Sequence, residues 1–511
     1  MGKKEGRLLS SLLPHLPDAK IVGKADPNIT GITYDSRSVE KGNIFCALEG
    51  IHTDGHSYIP QAIQRGAGAI LCSHLPKQLQ EGILYIVVGN VQSAMSRLSS
   101  SFYDFPSKKL RVVGVTGTDG KSSTVYYIHQ LLNALGKNSG LLSTVNLQTG
   151  ETLDKNPLRQ STPEAPVIQQ VLAEMWEKGK DTAIIEATSH GLSHRTGRLQ
   201  DVEFDVGVVT NVTHEHLEFH GTWEAYLSDK TNLFRALSPD RSATKGCPCL
   251  GVVNRDDRSY SYILQHCSAP LYSYSIKNPQ ADLYASILHS DLSGNTFSLQ
   301  EGPQLYPPLR IPLPGVFNVE NVLASLLTVS RLEQLPLETF FPYLGNLKGV
   351  RGRMTPIVKG QPFSVIVDYA HTPGSFEKIF PQVRKYTQGK LIAVFGSAGE
   401  RDLEKRPQQG KIASTFADLL VLTNEDPRLE EPMKILEDIA RGCINKNKGK
   451  DLFLIPDRRE AILFAFSLAN SSDTVLLLGK GHESSIILAE GPIAWDEIQV
   501  SEQILEKMGY C

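Results

Sequence analysis

The β-prone run 110–113 leads straight into a turn built on Gly114, Gly117 and Gly120, and a helical pattern opens at Lys121. Few local structures accept a strand that ends in glycines and restarts as a helix. The glycines let backbone N–H groups turn inward on an anion, and the helix adds its positive N-terminal end. Gly117, Thr118, Asp119, Gly120, Lys121, Ser122 and Ser123 therefore read as a phosphate cradle, with Lys121 reaching terminal phosphates and Ser122 available to Mg²⁺. The strict form of such a loop has a glycine where this chain carries Val115. ATP is the nucleotide expected.

A chain of 511 residues is too long for one core and implies about three domains. A formal net charge of -3 gives no general attraction to nucleic acid or an anionic membrane, so any anion site has to be local. The sequence has no apolar run of about 18 residues, and the stretch around 8–16 is too short and interrupted for an export signal. A cytoplasmic protein without membrane insertion and without a nucleic-acid partner is expected, acting as a monomer. The cysteines are odd in number and scattered, and Cys247 and Cys249 lack a second pair at zinc spacing, so they read as loop thiols.

Hydrophobic periodicity predicts an α/β chain. Strands are expected at 32–34, 44–48, 69–72 and 85–88, then, after a polar break at 105–109, at 181–186, 206–211 and 250–254. A helix is expected over 319–332, a linker at 347–353 with Gly349 and Gly352 as hinges, and further strands at 363–368, 391–396, 419–423 and 474–478. The expected organisation is a first domain over 1–107, a central P-loop-type ATPase domain of mostly parallel sheet over 108–345, and a Rossmann-like C-terminal domain over 346–511.

Two expected strand ends in the middle region carry chemistry. Glu186 closes an apolar run and places a carboxylate at the carboxyl end of a strand, where open α/β sheets bind ligands. The segment after 206–211 carries His214, Glu215, His216, Glu218 and His220. Magnesium takes hard oxygen ligands with occasional nitrogen and is favoured there over a transition metal, because no thiolate completes a softer set. Lys230, on an amphipathic helix, reads by itself as a solvated lysine.

Taken together, these segments resemble the Mur ligase family of ATP-dependent peptide synthetases over essentially the whole chain. The likeness rests on Thr33-Tyr34-Asp35-Ser36-Arg37 with the run 45–50, on the glycine-rich loop, and on Glu186-Ala187-Thr188-Ser189-His190. It rests also on Asp368-Tyr369-Ala370-His371-Thr372-Pro373 and on Gly479-Lys480-Gly481-His482-Glu483. The resemblance implies that Tyr34, Ser36 and the turn 51–53 hold a uridine nucleotide, and that Ser161, Thr162, Thr188 and Arg198, rather than Arg195, hold a muramoyl dipeptide. It implies that Lys230 is carbamylated and binds a second Mg²⁺ beside His216, with Ser122 and Glu186 as the other metal ligands. Asn318, Arg353 and Asp368 are implied to contact ATP.

The activity implied is an ATP-dependent amide ligase of peptidoglycan precursor synthesis, with Lys121, Glu186, His216 and Lys230 as its catalytic set. It would add a diamino acid (meso-diaminopimelate, L-lysine or L-ornithine) to UDP-N-acetylmuramoyl-L-alanyl-D-glutamate through an acyl phosphate. Arg401, Glu425, Asp426, Pro427, Arg428, Gly479 and Glu483 are implied to form the amino-acid pocket. Members using diaminopimelate usually carry asparagine where this chain has Asp426, which leaves the choice of amino acid divided. A folylpolyglutamate synthase-like ligase of the same fold is the alternative.

Overall fold

The computed structural model describes residues 6–50, 53–158, 160–213 and 217–511. Two compact units emerge: one comprises Met1–Ser286, Leu299–Tyr306 and Glu320–Tyr343, the other Ile287–Ser298, Pro307–Val319 and Leu344–Cys511.

Besides the short antiparallel pair Arg7–Leu8 and Asn28–Ile29, two larger sheets build the first unit. The smaller orders its strands Lys20–Val22, Leu84–Val87, Ala69–Cys72, Asn43–Cys46 and Gly31–Thr33. All neighbours are parallel except the first pair. Helix Val91–Phe102 repeats apolar residues at helical spacing, and its Val91, Ala94, Met95, Leu98 and Phe102 pack with Ile44, Leu71 and Ile86 from the strands. Asn90 caps this helix by accepting from Ser93 N.

The central strands of the larger sheet run Ser139–Leu142, Thr182–Glu186, Arg111–Thr116, Val206–Val209, Leu250–Asn254 and Leu271–Ser275, all parallel, with antiparallel strands added at the edges. From Arg111–Thr116 the chain travels outward to Ser139–Leu142, returns between them as Thr182–Glu186, then crosses to the other side at Val206–Val209. The winding therefore reverses at the carboxyl end of Arg111–Thr116, the point at which doubly wound sheets open a ligand crevice. Burial on both faces explains the apolar interiors of Arg111–Thr116, Thr182–Glu186 and Val206–Val209.

The second unit orders its main strands Thr355–Ile357, Ser364–Asp368, Thr474–Leu478, Leu391–Phe395, Leu419–Leu422 and Leu452–Leu454, parallel after the first pair. The last strand in sequence, Thr474–Leu478, inserts between the two that come earliest in this parallel set, which brings its exit loop beside theirs. Helix Pro373–Tyr386 starts with proline behind a Thr372/Ser375 capping box and buries Phe376, Ile379, Phe380 and Val383. Gly352 is not a loose hinge: at φ +74° its Cα faces the Gly481 backbone, where an added Cβ would stand 2.3 Å from a carbonyl carbon. Among the described residues no helix is long and apolar enough to cross a membrane.

Candidate active site

The glycine-rich turn is held open by the neighbouring strand exit. Gly117 adopts φ +144° with its Cα against Thr210, so that a Cβ would lie 1.9 Å from the Thr210 hydroxyl. Thr118 N donates to Asn211 O at 2.7 Å, Asp119 N to Asn211 Oδ1 at 3.1 Å, and Thr210 Oγ1 to Asp119 O at 2.5 Å. Helix Lys121–Ala134 begins directly after Gly120, which packs against Asn321. The Thr118 and Asp119 N–H groups are thus held by Asn211, and the N-terminal end of helix Lys121–Ala134 is what the turn offers to an anion.

Around this cradle the structure gathers several of the expected residues. Ser122 Oγ donates to Glu186 Oε2 at 2.8 Å, and the Glu186 carboxylate also accepts Thr144 N at 2.9 Å and Thr144 Oγ1 at 3.0 Å. Thr144 Oγ1 in turn reaches Ser161 Oγ at 2.6 Å, and Thr162 Oγ1 reaches Glu186 O at 2.8 Å. Lys230, with 1% of its surface exposed, extends under the loop to Gly117 O at 2.6 Å, its Nζ 4.4 Å from the centre of the Tyr226 ring. It is therefore buried at the cradle, not solvated. Lys121 Nζ lies 2.8 Å from Thr118 O.

A cavity of about 240 Å³ opens at this point, lined by Lys121, Ser161, Thr162, Thr188, Arg198 and Lys230 among others. Arg198 donates to Thr162 O at 3.0 Å and pairs with Glu164 at 2.6 Å. Arg195 instead lies over the Phe219 ring and donates to Phe219 O. Tyr34 belongs to the same neighbourhood: burial and the Glu164 carboxylate push its phenol above the ordinary value, while Arg198 pulls it down. Ser36 is buried and donates to Gln61 Oε1 at 2.8 Å. His216 and His214 lie outside the described residues, as does the turn residue His52. His220 is buried, bonded to Asp229 at 2.8 Å and Ser189 at 3.0 Å, and burial lowers its basicity.

Another group, Glu49, His56 and His74, surrounds the Ser73 hydroxyl. The two imidazoles are stacked within 10° of parallel at 4.0 Å, so their in-plane lone pairs do not converge on one ion.

In the second unit the strand ends bring the other expected set together. Glu425 lies against Gly479, and burial pushes its carboxyl upward against the pull of Lys405, Lys480 and Arg458. Asp426 Oδ1 pairs with the buried Lys480 ammonium at 2.9 Å and accepts Ile487 N at 2.9 Å; Lys480 also binds Glu483. Sequence reasoning passed over Lys480, although it stands inside a quoted string, because its bond to Asp426 joins distant segments. Thr144, Glu164 and Tyr226 escaped it for the same reason. Arg401 is exposed on the loop next to Pro427. Asp368 accepts the backbone N–H groups of Met354 and Ala370, one on each carboxylate oxygen, at 2.7 Å each. Arg353 stacks 4.7 Å from the Tyr369 ring centre, and Asn318 Nδ2 donates to Pro314 O at 2.8 Å. The cysteines are all unpaired, and burial pushes the Cys247 thiol up to about 12.

Comparison with known proteins agrees with this architecture. Three family models match in order: Mur ligase family, catalytic domain, over 28–103; Mur ligase middle domain over 115–329; and Mur ligase, glutamate ligase domain, over 352–481. The chain is 45% identical over 508 residues to a UDP-N-acetylmuramyl-tripeptide synthetase of Roseiflexus sp. (strain RS-1), covering 98% of this chain and 99% of that one. It is 36% identical to a UDP-N-acetylmuramoyl-L-alanyl-D-glutamate–2,6-diaminopimelate ligase of Bacillus velezensis, over 94% of this chain and 95% of the relative. A solved ligase of the latter name superposes with TM-score 0.66 at 27% identity, over 99% of this chain and 100% of that one. A folylpolyglutamate synthase of Mycobacterium tuberculosis shares the fold alone, at 17% identity and TM-score 0.59 over 75% of this chain and 91% of that one. On the strength of these full-length matches, the chain belongs to the Mur ligase family, alongside the UDP-N-acetylmuramyl-tripeptide synthetases.

Proposed function

We propose that the chain joins an amino group of a diamino acid to the D-glutamyl γ-carboxylate of UDP-N-acetylmuramoyl-L-alanyl-D-glutamate, converting ATP to ADP and phosphate. The observation that supports this reading best is the cavity in which Lys121 and Lys230 meet Ser161, Thr162, Thr188 and Arg198. Its lining combines the lysines of the anion cradle with hydroxyls and a guanidinium suited to a carboxylate-bearing substrate.

The substrate carboxylate attacks the γ-phosphorus, the bond to ADP breaks, and an acyl phosphate remains. The amine attacks the acyl carbon, loses a proton, and expels phosphate from the tetrahedral adduct. Both steps crowd negative charge near the loop, where Lys121 and the N-terminal end of helix Lys121–Ala134 stabilise it in place. Thr162, Thr188 and Arg198 orient the dipeptide end, Tyr34 and Ser36 the uridine nucleotide, and Asn318, Arg353 and Asp368 the adenosine. In the second unit Arg401, Glu425, Asp426, Arg428, Gly479 and Glu483 receive the incoming amino acid, with Lys480 balancing the charge of Asp426.

Magnesium fits the donor set, since Ser122 Oγ and the Glu186 carboxylate are adjacent hard oxygens. Lys230, as a carbamate, and His216 complete the ligands in this reading. Bound magnesium would neutralise phosphate and acyl-phosphate oxygens.

The test is the mass of the nucleotide product after incubation with ATP, Mg²⁺ and each of meso-diaminopimelate, L-lysine and L-ornithine. A gain of one amino-acid residue with one of the three is expected; an unchanged mass with all three refutes the proposal.

A further inference from the structure

The loop 396–402 carries Arg401, and the loop 423–431 carries Glu425 to Arg428. Both adopt a backbone that ordinary residues avoid: Glu400 stands at φ +54° and Arg428 at φ +57°. Such left-handed conformations persist where the surroundings over-determine them, and they gather at functional sites. Here the surroundings are identifiable. Gly399 N donates to Asp426 O at 2.8 Å, tying one loop to the other, and Arg428 N donates to Ile487 O at 2.9 Å.

Beneath both loops lies Arg406, whose side chain is wholly buried, the largest such residue among those described. Its guanidinium makes a two-pronged contact with Glu430, Nη1 to Oε2 and Nη2 to Oε1, each at 3.0 Å. Nη1 also donates to Asp438 Oδ2 at 3.0 Å, and Nη2 to Ala398 O at 3.3 Å. The Glu430 carboxylate accepts in addition the backbone N–H of Glu400. One carboxylate, two positions beyond Arg428, thus grips the backbone one position before Arg401. Arg406 completes the connection by binding the first loop at Ala398 and the second through Glu430.

We propose that the Arg406–Glu430 pair is a positioning device that sets the spacing of Arg401 and Arg428, and hence the affinity for the incoming amino acid. This rests on the reading of those two arginines as part of the amino-acid pocket. Neither Arg406 nor Glu430 touches substrate; they act through the loops. A planar guanidinium gripping a carboxylate at two points fixes direction as well as distance, which a lysine at 406 cannot reproduce.

The test compares steady-state kinetics of the wild type with Glu430→Gln, Glu430→Asp and Arg406→Lys, each substrate varied in turn. The expected result is a rise of about tenfold or more in KM for the amino acid, with KM for ATP and for the UDP-sugar dipeptide within about twofold of wild type. Glu430→Asp keeps the charge but shortens the reach to Glu400, so it shows the same selective rise in smaller degree. If Glu430→Gln fails to fold, the shorter acid carries the test. A buried ion pair with a merely structural role lowers the active fraction and so reduces kcat with all three KM values unchanged; that outcome overturns the proposal. An equal rise in all three overturns it too. If wild-type phosphate release shows no dependence on an amino acid, the functional reading fails instead.

Discussion

Replacing Lys230 by alanine separates the two roles this buried lysine can play. As an amine it donates to Gly117 O at 2.6 Å and lies against Tyr226; as a carbamate it presents two oxygens to a metal. The folded-state cost can be built from its contacts. A charged hydrogen bond is worth about 1.5–3 kcal/mol, and the buried stem adds about 0.8 kcal/mol for each of its methylenes. Relief from burying a cation offsets part of this, leaving a loss of about 3 kcal/mol. The effect on rate is set by the lost charge stabilisation at the transferring phosphoryl group, about 10²–10³-fold for one such group. The assay is phosphate release by folded Lys230→Ala protein, alone and with small additives. If the carbamate acts, acetate or propionate restores part of the rate and ethylammonium does not. Full activity of the variant, or rescue by ethylammonium alone, refutes the carbamate.

Gly117→Ala forces a Cβ to within 1.9 Å of the Thr210 hydroxyl at φ +144°; ATP affinity measured by calorimetry should fall at least about tenfold, since loop and strand exit move apart. Burial raises Glu320 to about 7, so the folded state holds a proton the unfolded chain releases from about 4.5 upward. Stability therefore falls as pH rises from about 4.5 to 7 and stays lower above it, a total of about 3 kcal/mol, and Glu320→Gln should flatten that slope in urea titrations at several pH values. The Arg458–Glu497 pair, with side chains 1% and 0% exposed, also holds Trp495 Nε1. Glu497→Ala leaves a buried guanidinium unpaired and should lower the unfolding free energy by about 3–5 kcal/mol.

The glycine-rich turn and its flanking strand and helix were legible because their determinants are local. Glycines, β-prone residues and a helix start follow one another, and the observed Arg111–Thr116 and Lys121–Ala134 elements need nothing distant. The expected strands at 69–72, 250–254 and 474–478 match the observed bounds for the same reason. Strand order was not legible. Nothing in the run 182–186 says that it inserts between Arg111–Thr116 and Ser139–Leu142, yet that insertion brings Glu186 to Ser122. Lys230 shows the limit most sharply. Its helix is amphipathic and its local pattern reads as exposed; Tyr226 lies one turn earlier on the same helix, but the Gly117 carbonyl that receives the ammonium is brought from 113 residues away by the fold. Arg406 and Lys480 look like surface cations in sequence, and the carboxylates of Glu430 and Asp438 for the first and of Asp426 and Glu483 for the second make their burial tolerable.

Activation of the substrate carboxylate by phosphorylation leaves an isotopic trace in the phosphate released. UDP-N-acetylmuramoyl-L-alanyl-D-glutamate labelled with ¹⁸O in the γ-carboxylate is turned over with ATP, Mg²⁺ and the accepted diamino acid, and the phosphate is analysed by mass. Passage through an acyl phosphate carries one labelled oxygen into each phosphate released. Phosphate free of label, formed together with the amide product, would rule out an acyl phosphate on the path.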